Sequence, residues 1–431
     1  MPLQWAQLKS HPIQNKLWAS PSRFTAVVAG RASGKTELSL RRLVRYLPVR
    51  QPWPDPRYFF GAPTHDQARR IAWDRLKSLI PPGWISSIGE SSGVIKTNLP
   101  SGARLHVVGL DVPSRIEGTL WDGCVLDESC ELRPKVFDVS VYPTLATRKG
   151  WCWRIGVPKR HGIGAVEFRQ FFDQCAKGAY EDGEAFTWPS SDIVSAHEIE
   201  HAREHLDVVD YREQFEAQFE TVGGRIFHAF DPEWNVRPCP YDPTKPLILG
   251  CDFNVDPMSW ILGHAYEDRF EVIDEVFKRD TNTMETLNFV YGRYATHQGG
   301  FAFFGDATGK ARKTSAAASD YLQIMNHEGF KKAGRTLHFP DSNPTHADAF
   351  ASVNAMFCNA AGDRRLFIDP NCERVSRDMQ LRAFKPGTRE PSDKSGSRTD
   401  IGHLSDGLCY VIHRLFPIRM QLGGEVKIGL Y

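Results

Sequence analysis

No apolar run in this chain approaches the ~18–20 residues that a membrane span needs. Residues 1–18 also lack the apolar core and small-residue cleavage site of a secretory leader. Net charge is nearly absent, with 53 Lys and Arg against 52 Asp and Glu, so the whole chain is no simple basic nucleic-acid binder. The nine cysteines are scattered and form no Cys-x-x-Cys pair. An odd, dispersed set argues against a disulfide framework or a zinc knuckle, and for a reducing compartment. Apolar material is not scarce: 41% of residues are hydrophobic and 24% charged, which excludes a disordered or fibrous chain. At 431 residues, two domains of about 200 residues each are expected.

The charge that is present is unevenly spread. Residues 1–50 hold nine Lys and Arg and a single acid, Glu37, whereas residues 181–220 hold twelve Asp and Glu against Arg203 and Arg212. Such asymmetry suits one anion-facing surface, although solvated faces of different sign would give the same count.

Apolar runs at 24–30, 58–63, 104–109, 123–127 and 151–157 read as strands, and helical periodicity follows at 36–46 and 65–79. Strands alternating with helices predict a mostly parallel α/β sheet. Residues 190–220 are polar and helical. Gly223, Gly224 and the prolines at 232, 238, 240, 243 and 246 mark a breaker-rich stretch. We therefore expect a first domain over 1–215, with a polar helical lid at about 165–215, a linker over 216–245 and a second domain over 246–431. The second domain opens with three runs, 246–252, 258–265 and 269–277, joined by short turns as an antiparallel meander. A helix at 283–297, a strand at 301–305 and a last helix at 401–415 follow, with a polar loop over 385–400.

Ala29-Gly-Arg-Ala-Ser-Gly-Lys-Thr36 lies between a strand and a helix, the context of a phosphate-binding loop. Backbone N–H groups of Gly30, Arg31, Ala32, Ser33 and Gly34 and the helix N-terminus would cradle phosphate oxygens. Lys35 would reach the β- and γ-phosphates of ATP, and Thr36 would hold Mg²⁺. The usual pattern starts with Gly where Ala29 stands; a positive φ there would cost about 1 kcal/mol. Some 90 residues on, Val125-Leu-Asp-Glu128 is an apolar strand ending in two acids. Asp127 would position Mg²⁺ and Glu128 would polarise the attacking water.

In the second half, Asp252 and Asp306 end strands, and His403 and Asp406 lie one helical turn apart. Carboxylates converging from strand ends and a facing helix can hold two divalent ions about 3.5–4 Å apart for phosphodiester cleavage, and such oxygen ligands suit Mg²⁺ or Mn²⁺. Strand-end Asp as a simple turn former is the alternative for each. Asp274 and Glu275 read as structural. His197-Glu-Ile-Glu-His201 matches a zinc-protease pattern, but Glu204 and Asp207 stand where its extension needs Gly and His, so we read a solvated helix instead.

These residues resemble one family, the large terminase subunits of tailed bacteriophages. The likeness rests on His11-Pro-Ile-Gln14, on Gly30-Arg-Ala-Ser-Gly-Lys-Thr36 and on Ser114-Arg-Ile-Glu-Gly118 before Val125–Glu128. It continues with Trp188-Pro-Ser-Ser191, Gly223-Gly-Arg-Ile-Phe227, Gly250-Cys-Asp-Phe253, Gly305-Asp306, Asn354-Ala-Met356 and His403-Leu-Ser-Asp-Gly407. The resemblance implies a P-loop ATPase domain followed by a ribonuclease H-like, mixed-sheet nuclease domain. Gln14 would contact adenine; Asp252, Asp306 and Asp406 would bind metal, and His403 would assist. It further implies a viral DNA-packaging motor on double-stranded DNA. A ring of subunits would dock on the portal protein, beside a small terminase subunit, in the cytoplasm of the infected host and outside the mature virion. An arginine passed between subunits is also implied, with Arg115 the candidate and Arg31 the alternative within the chain. Ala29 and Ala32 depart from the family glycines. Gly156-Val-Pro158 fills the place of a coupling motif that often carries Ser or Thr, so position 157 offers no hydroxyl. Lys310, Arg312, Lys313, Lys394 and Arg398 are candidate grips on the DNA backbone. Two rivals differ in class: a helicase-like repair ATPase whose second domain binds but does not cut DNA, and an assembly protein with nucleotide as a structural ligand.

Overall fold

The computed structural model describes residues 4–6, 10–160, 162–220, 224–254, 256–310, 318–385, 390–392 and 401–418. Two compact units result, one of residues 1–199 and 212–222, the other of 200–211 and 223–431. The stretch 216–245, expected as a linker, is thus divided between them after residue 222, and Ile226, Phe227 and Phe230 are core residues of the second unit.

The first unit is built on eight strands: β1 (Phe24–Ala29), β2 (Arg57–Ala62), β3 (Ile85–Gly89), β4 (Val94–Thr97), β5 (Arg104–Gly109), β6 (Gly123–Leu126), β7 (Trp151–Gly156) and β8 (Gly183–Trp188). Their order is β3-β4-β5-β2-β6-β7-β1-β8. From β5 to β8 every neighbouring pair is parallel; β3 and β4 add an antiparallel edge. A parallel sheet covered on both faces needs apolar residues pointing both ways, and β1 is buried at every position. Val27 and Ala29 pack with Leu38 and Leu43 of the helix Lys35–Tyr46. Phe24, Ala26 and Val28 face the other core with Phe168 and Phe171. Because β1 and β6 run the same way with only β7 between them, the loops after both open at one edge of the sheet. Sequence periodicity misses β3, β4 and β8, which are short and partly exposed. The helix expected over 65–79 is broken into His65–Ala68, a wider turn at Arg69–Trp73, and Asp74–Leu79.

The second unit has a six-stranded mixed sheet: β9 (Leu247–Asp252), β10 (Met258–Ala265), β11 (Phe270–Lys278), β12 (Phe301–Gly305), β13 (Arg335–His338) and β14 (Leu366–Ile368). The order is β13-β12-β9-β10-β11-β14. β9, β10 and β11 form the expected antiparallel meander, and β12 and β13 extend it in parallel from β9. This is the mixed sheet expected for the second domain. The helix His403–Leu415 lies against β9 at a point where neither backbone has room for a side chain. A Cβ on Gly250 would stand 2.2 Å from the Gly407 carbonyl oxygen, and one on Gly407 would stand 2.6 Å from that of Gly250. No helix among the described residues is long and apolar enough to cross a membrane.

Candidate functional site

The loop after β1 is held from three sides. Trp188, at the end of β8, donates from Nε1 to the Ser33 carbonyl (2.9 Å), and Gln14 donates from Nε2 to the same oxygen (3.0 Å). Ser190 Oγ donates to the Arg31 carbonyl (2.7 Å), and the Arg31 N–H donates to the Gln214 carbonyl (2.6 Å). Gly30 must be glycine: a Cβ there would stand 2.3 Å from Ser190 Oγ and 2.6 Å from the Ser190 nitrogen. Gly34 takes φ +81° at the cap of the helix Lys35–Tyr46. The strain expected at Ala29 is not there, since Ala29 ends β1 in extended backbone; it falls on Ala32, at φ +53°. Trp188-Pro-Ser-Ser191, carried only by resemblance in the sequence, thus has a physical role as the brace under the phosphate loop.

Inside the loop, Lys35 is buried and donates from Nζ to the Gly30 carbonyl (3.2 Å). Burial lowers its pKa, against the pull of Asp127 and Glu128. Ser33 Oγ is buried with no hydrogen-bond partner. A buried hydroxyl without a partner, two residues before a buried ammonium in a glycine-containing loop, is what a phosphate would satisfy. Thr36 Oγ1 donates to Asp127 Oδ2 (3.0 Å). Burial, with Glu128 adding to it, pushes the Asp127 carboxyl up to about 6. Glu128 sits in left-handed backbone, φ +51°. Its burial is outweighed by Lys159, whose Nζ lies 2.8 Å from Glu128 Oε2, and by Lys35 and Arg31; together they hold Glu128 below the usual carboxylate range. Lys159 follows β7 closely and was not found from sequence; a lone lysine after an apolar strand carries no signal. Arg31 acts on Lys35, Glu128 and Lys159, whereas Arg115 is exposed and faces Asp111 at 3.7 Å.

The N-terminal basic run is largely spent inside the fold. Arg41 pairs with Glu37, Arg42 is buried against Trp151 and Trp153, and Arg23 and Arg45 donate to backbone carbonyls. Arg23, Arg41, Arg42 and Arg45 are therefore engaged within the fold, and the anion-facing residues of 1–50 narrow to those of the loop after β1. Of the candidate DNA grips, Lys310 pairs with Asp341 at 2.8 Å; Arg312, Lys313, Lys394 and Arg398 lie outside the described residues.

In the second unit, Asp252 ends β9, and the register Gly305↔Cys251 sets Asp306 beside it in sequence step. The Gly250–Gly407 contact brings in the first turns of the last helix. His403 Nδ1 lies 2.9 Å from Asp252 Oδ2, which also accepts from Asn254 Nδ2 (2.8 Å). Burial raises the Asp252 carboxyl, the negative charges of Asp406 and Asp306 add to this, and His403 opposes it. The hydrogen bond to Asp252 in turn raises His403. Asp306 accepts from Thr308 Oγ1 (2.6 Å) and the Gly309 N–H (3.1 Å). Asp406 is held differently: Arg382 Nη1 donates to its Oδ1 at 2.8 Å. Hard carboxylate oxygens, with two of the acids raising the proton affinity of Asp252, are the right donor chemistry for Mg²⁺ or Mn²⁺. Even so, no group of three or more His, Cys, Asp or Glu among the described residues is drawn in closely enough to hold an ion.

Other acids are structural. Asp274 accepts from Arg293 and Tyr294, and Glu275 accepts the N–H groups of Arg374 and Val375 at the start of the helix Glu373–Leu381. Asn354 ties the Ile226 carbonyl and the Ala229 N–H. Sequence reasoning also missed Asp378, buried, which accepts the N–H groups of Gly402 and Ser405 and so caps the helix that carries His403 and Asp406.

No family model matches the chain. Among curated proteins it is similar to the "Terminase, large subunit" of Thermus phage G20c, 24% identical over 320 residues, covering 66% of this chain and 63% of that protein. It is also 21% identical to the protein of the same name from Escherichia phage T5, over 94% of this chain and 89% of that one. The chain thus matches about 63% of the length of its Thermus phage relative. Among solved structures, the large terminase of a thermophilic bacteriophage shares the fold over 94% of this chain and 99% of its own, at TM-score 0.57 and 14% identity. The complex of that terminase with ATP-gamma-S aligns at TM-score 0.55 and 15% identity, over 93% and 98% of the two chains.

Proposed function

We propose that this chain, a relative of the large terminase subunits, is the motor and nuclease of viral DNA packaging. ATP hydrolysis in the first unit drives double-stranded DNA translocation into the procapsid, and a metal-dependent endonuclease in the second cuts concatemeric DNA. The observation that carries the reading is the loop after β1, where a buried Lys35 and a buried Ser33 hydroxyl without a hydrogen-bond partner lie two residues apart in a turn braced by Trp188 and Ser190.

The nucleotide phosphates rest on Lys35 and on the N–H groups of Ala32, Ser33 and Gly34, since those of Gly30 and Arg31, also expected there, are spent on the Trp188 and Gln214 carbonyls; Gln14 sits at the adenine side. Thr36 and Asp127 would hold the Mg²⁺ that accompanies ATP. Glu128, kept ionised by Lys159, orients the attacking water and takes its proton. In the second unit, Asp252, Asp306 and Asp406 would hold divalent ions, Mg²⁺ or Mn²⁺. When bound, such ions supply an activated water and stabilise the leaving oxygen. His403 fixes the Asp252 carboxylate through Nδ1, and Asn254 shares that task. The motor falls to residues 1–199 and 212–222 and the nuclease to residues 200–211 and 223–431. Partners are the portal protein, a small terminase subunit and further copies in a ring, with Arg115 offered to a neighbour's site. The place of action is the host cytoplasm.

Phosphate release from ATP tests the first half: Lys35→Ala should abolish it, and equal rates in wild type and variant would end the ATPase reading. Mn²⁺-dependent cutting of linear DNA, lost in Asp252→Ala and Asp306→Ala, separates this reading from a helicase-like ATPase with a non-cleaving second domain.

A further inference from the structure

Asp406 differs from its two fellow acids in having a buried cation for a partner. Arg382 is the residue after the helix Glu373–Leu381, and its side chain is 0% exposed. Nη1 donates to Asp406 Oδ1 and to Ser405 Oγ, both at 2.8 Å. The guanidinium lies 5.2 Å from the Phe350 ring centre, and the Arg382 N–H is tied to the Asp378 carbonyl (3.0 Å). Asp378 Oδ2 also grips the first turn of the last helix through the Gly402 and Ser405 N–H groups. The cation is therefore built into the same framework that presents His403 and Asp406.

Two physical consequences follow. The side chains of Asp252 and Asp406 are only 12% and 10% exposed; carboxylates with so little water around them repel one another, and removing one partner of a buried ion pair leaves an uncompensated charge. Arg382 supplies positive charge where a metal would otherwise have to. A guanidinium fixed on one oxygen of a ligand also disfavours a second cation there, by charge and by occupancy.

We propose that Arg382 is the resident counter-cation of the acidic pocket: it holds Asp406 in place when no metal is bound, and it weakens divalent binding. The proposal rests on the metal-site reading of Asp252, Asp306 and Asp406. Arg382 is a positioning residue and touches no DNA in this account.

The test uses the full chain, with Mn²⁺ as probe, followed by paramagnetic resonance of the free ion, and with melting in EDTA. Arg382→Gln should bind Mn²⁺ about tenfold more tightly than wild type and melt about 5 °C lower without metal, with saturating Mn²⁺ closing most of that gap. Arg382→Lys, which keeps the charge, should bind Mn²⁺ much as wild type does. Equal or weaker Mn²⁺ binding by Arg382→Gln would overturn the proposal. Should that variant not fold, Asp306→Asn and Asp406→Asn in EDTA decide the matter. The first relieves repulsion and leaves the melting temperature unchanged or higher; the second takes the carboxylate from Arg382 and lowers it. A rise of equal size in both would overturn the proposal. Mn²⁺ binding by wild type that ignores Asp252→Asn would sink the metal-site reading instead, while the melting contrast still judges Arg382.

Discussion

The two sites are built on opposite plans. The proposed phosphate loop is one contiguous segment, braced from β8 and from Gln14, and the two acids beside it come from a strand separated from β1 by β7 alone. The acidic pocket gathers residues 252, 306, 382, 403 and 406 from two strand ends and two helices, and depends on two glycines meeting backbone to backbone. Local geometry makes the first site robust. The second is only as sound as the packing of one helix on one strand.

That contrast can be broken in four places. The largest effect is expected from Glu128→Gln, which should lower the rate of phosphate release about 10²–10³-fold with little change in nucleotide affinity, since the role proposed for Glu128 is on the attacking water and not in the phosphate cradle. A large rise in KM with kcat intact would remove the role given to Glu128.

Next comes Gly407→Val. Its side chain has no space against the Gly250 carbonyl, so the second unit should melt at least about 5 °C lower and lose metal-dependent cutting. Nucleotide binding by the first unit should persist, as a fluorescent ATP analogue can show. Loss of nucleotide binding would mean that the two sites are not independently built.

Asp127→Asn gives a smaller, pH-dependent effect. The folded pKa of Asp127, about 6, lies above its ordinary 3.8. The stability it lends is full below pH about 4 and is lost as pH rises through about 6. Asparagine has no proton to lose. In metal- and nucleotide-free chain the variant should therefore gain on wild type between those limits, levelling off at no more than about 3 kcal/mol. Denaturant melts at pH 4, 5, 6 and 7 trace the curve, and a gain confined to acid would carry the wrong sign.

Least of all is expected from Arg115→Ala in the isolated chain. An exposed arginine facing Asp111 at 3.7 Å contributes little, so basal phosphate release should stay within about twofold. A larger fall would give Arg115 a role within its own subunit.

The same contrast explains what the sequence could reveal. Asp127, Glu128 and the loop at 29–36 were legible because strand, loop and helix are adjacent in the chain and their spacing carries the chemistry. The meander of β9 to β11 was legible from its apolar runs and short turns. Lys159 and Arg382 were not, because nothing in their neighbourhoods separates them from ordinary surface cations; only the sheet order and the helix packing bring them onto Glu128 and Asp406. β8 hid in a polar stretch, and with it the reason for Trp188 and Ser190. The N-terminal basic run misled for the same cause: charge counts do not tell a guanidinium stacked on tryptophan from one in water.

One experiment addresses the central claim, that two separately built sites carry two separable reactions. Phosphate release and Mn²⁺-dependent DNA cutting are measured on the full chain for wild type, Lys35→Ala and Asp252→Ala. The account predicts that Lys35→Ala loses phosphate release and still cuts, and that Asp252→Ala stops cutting and still releases phosphate. Cutting that survives Asp252→Ala, or both reactions failing together in either variant, would contradict it.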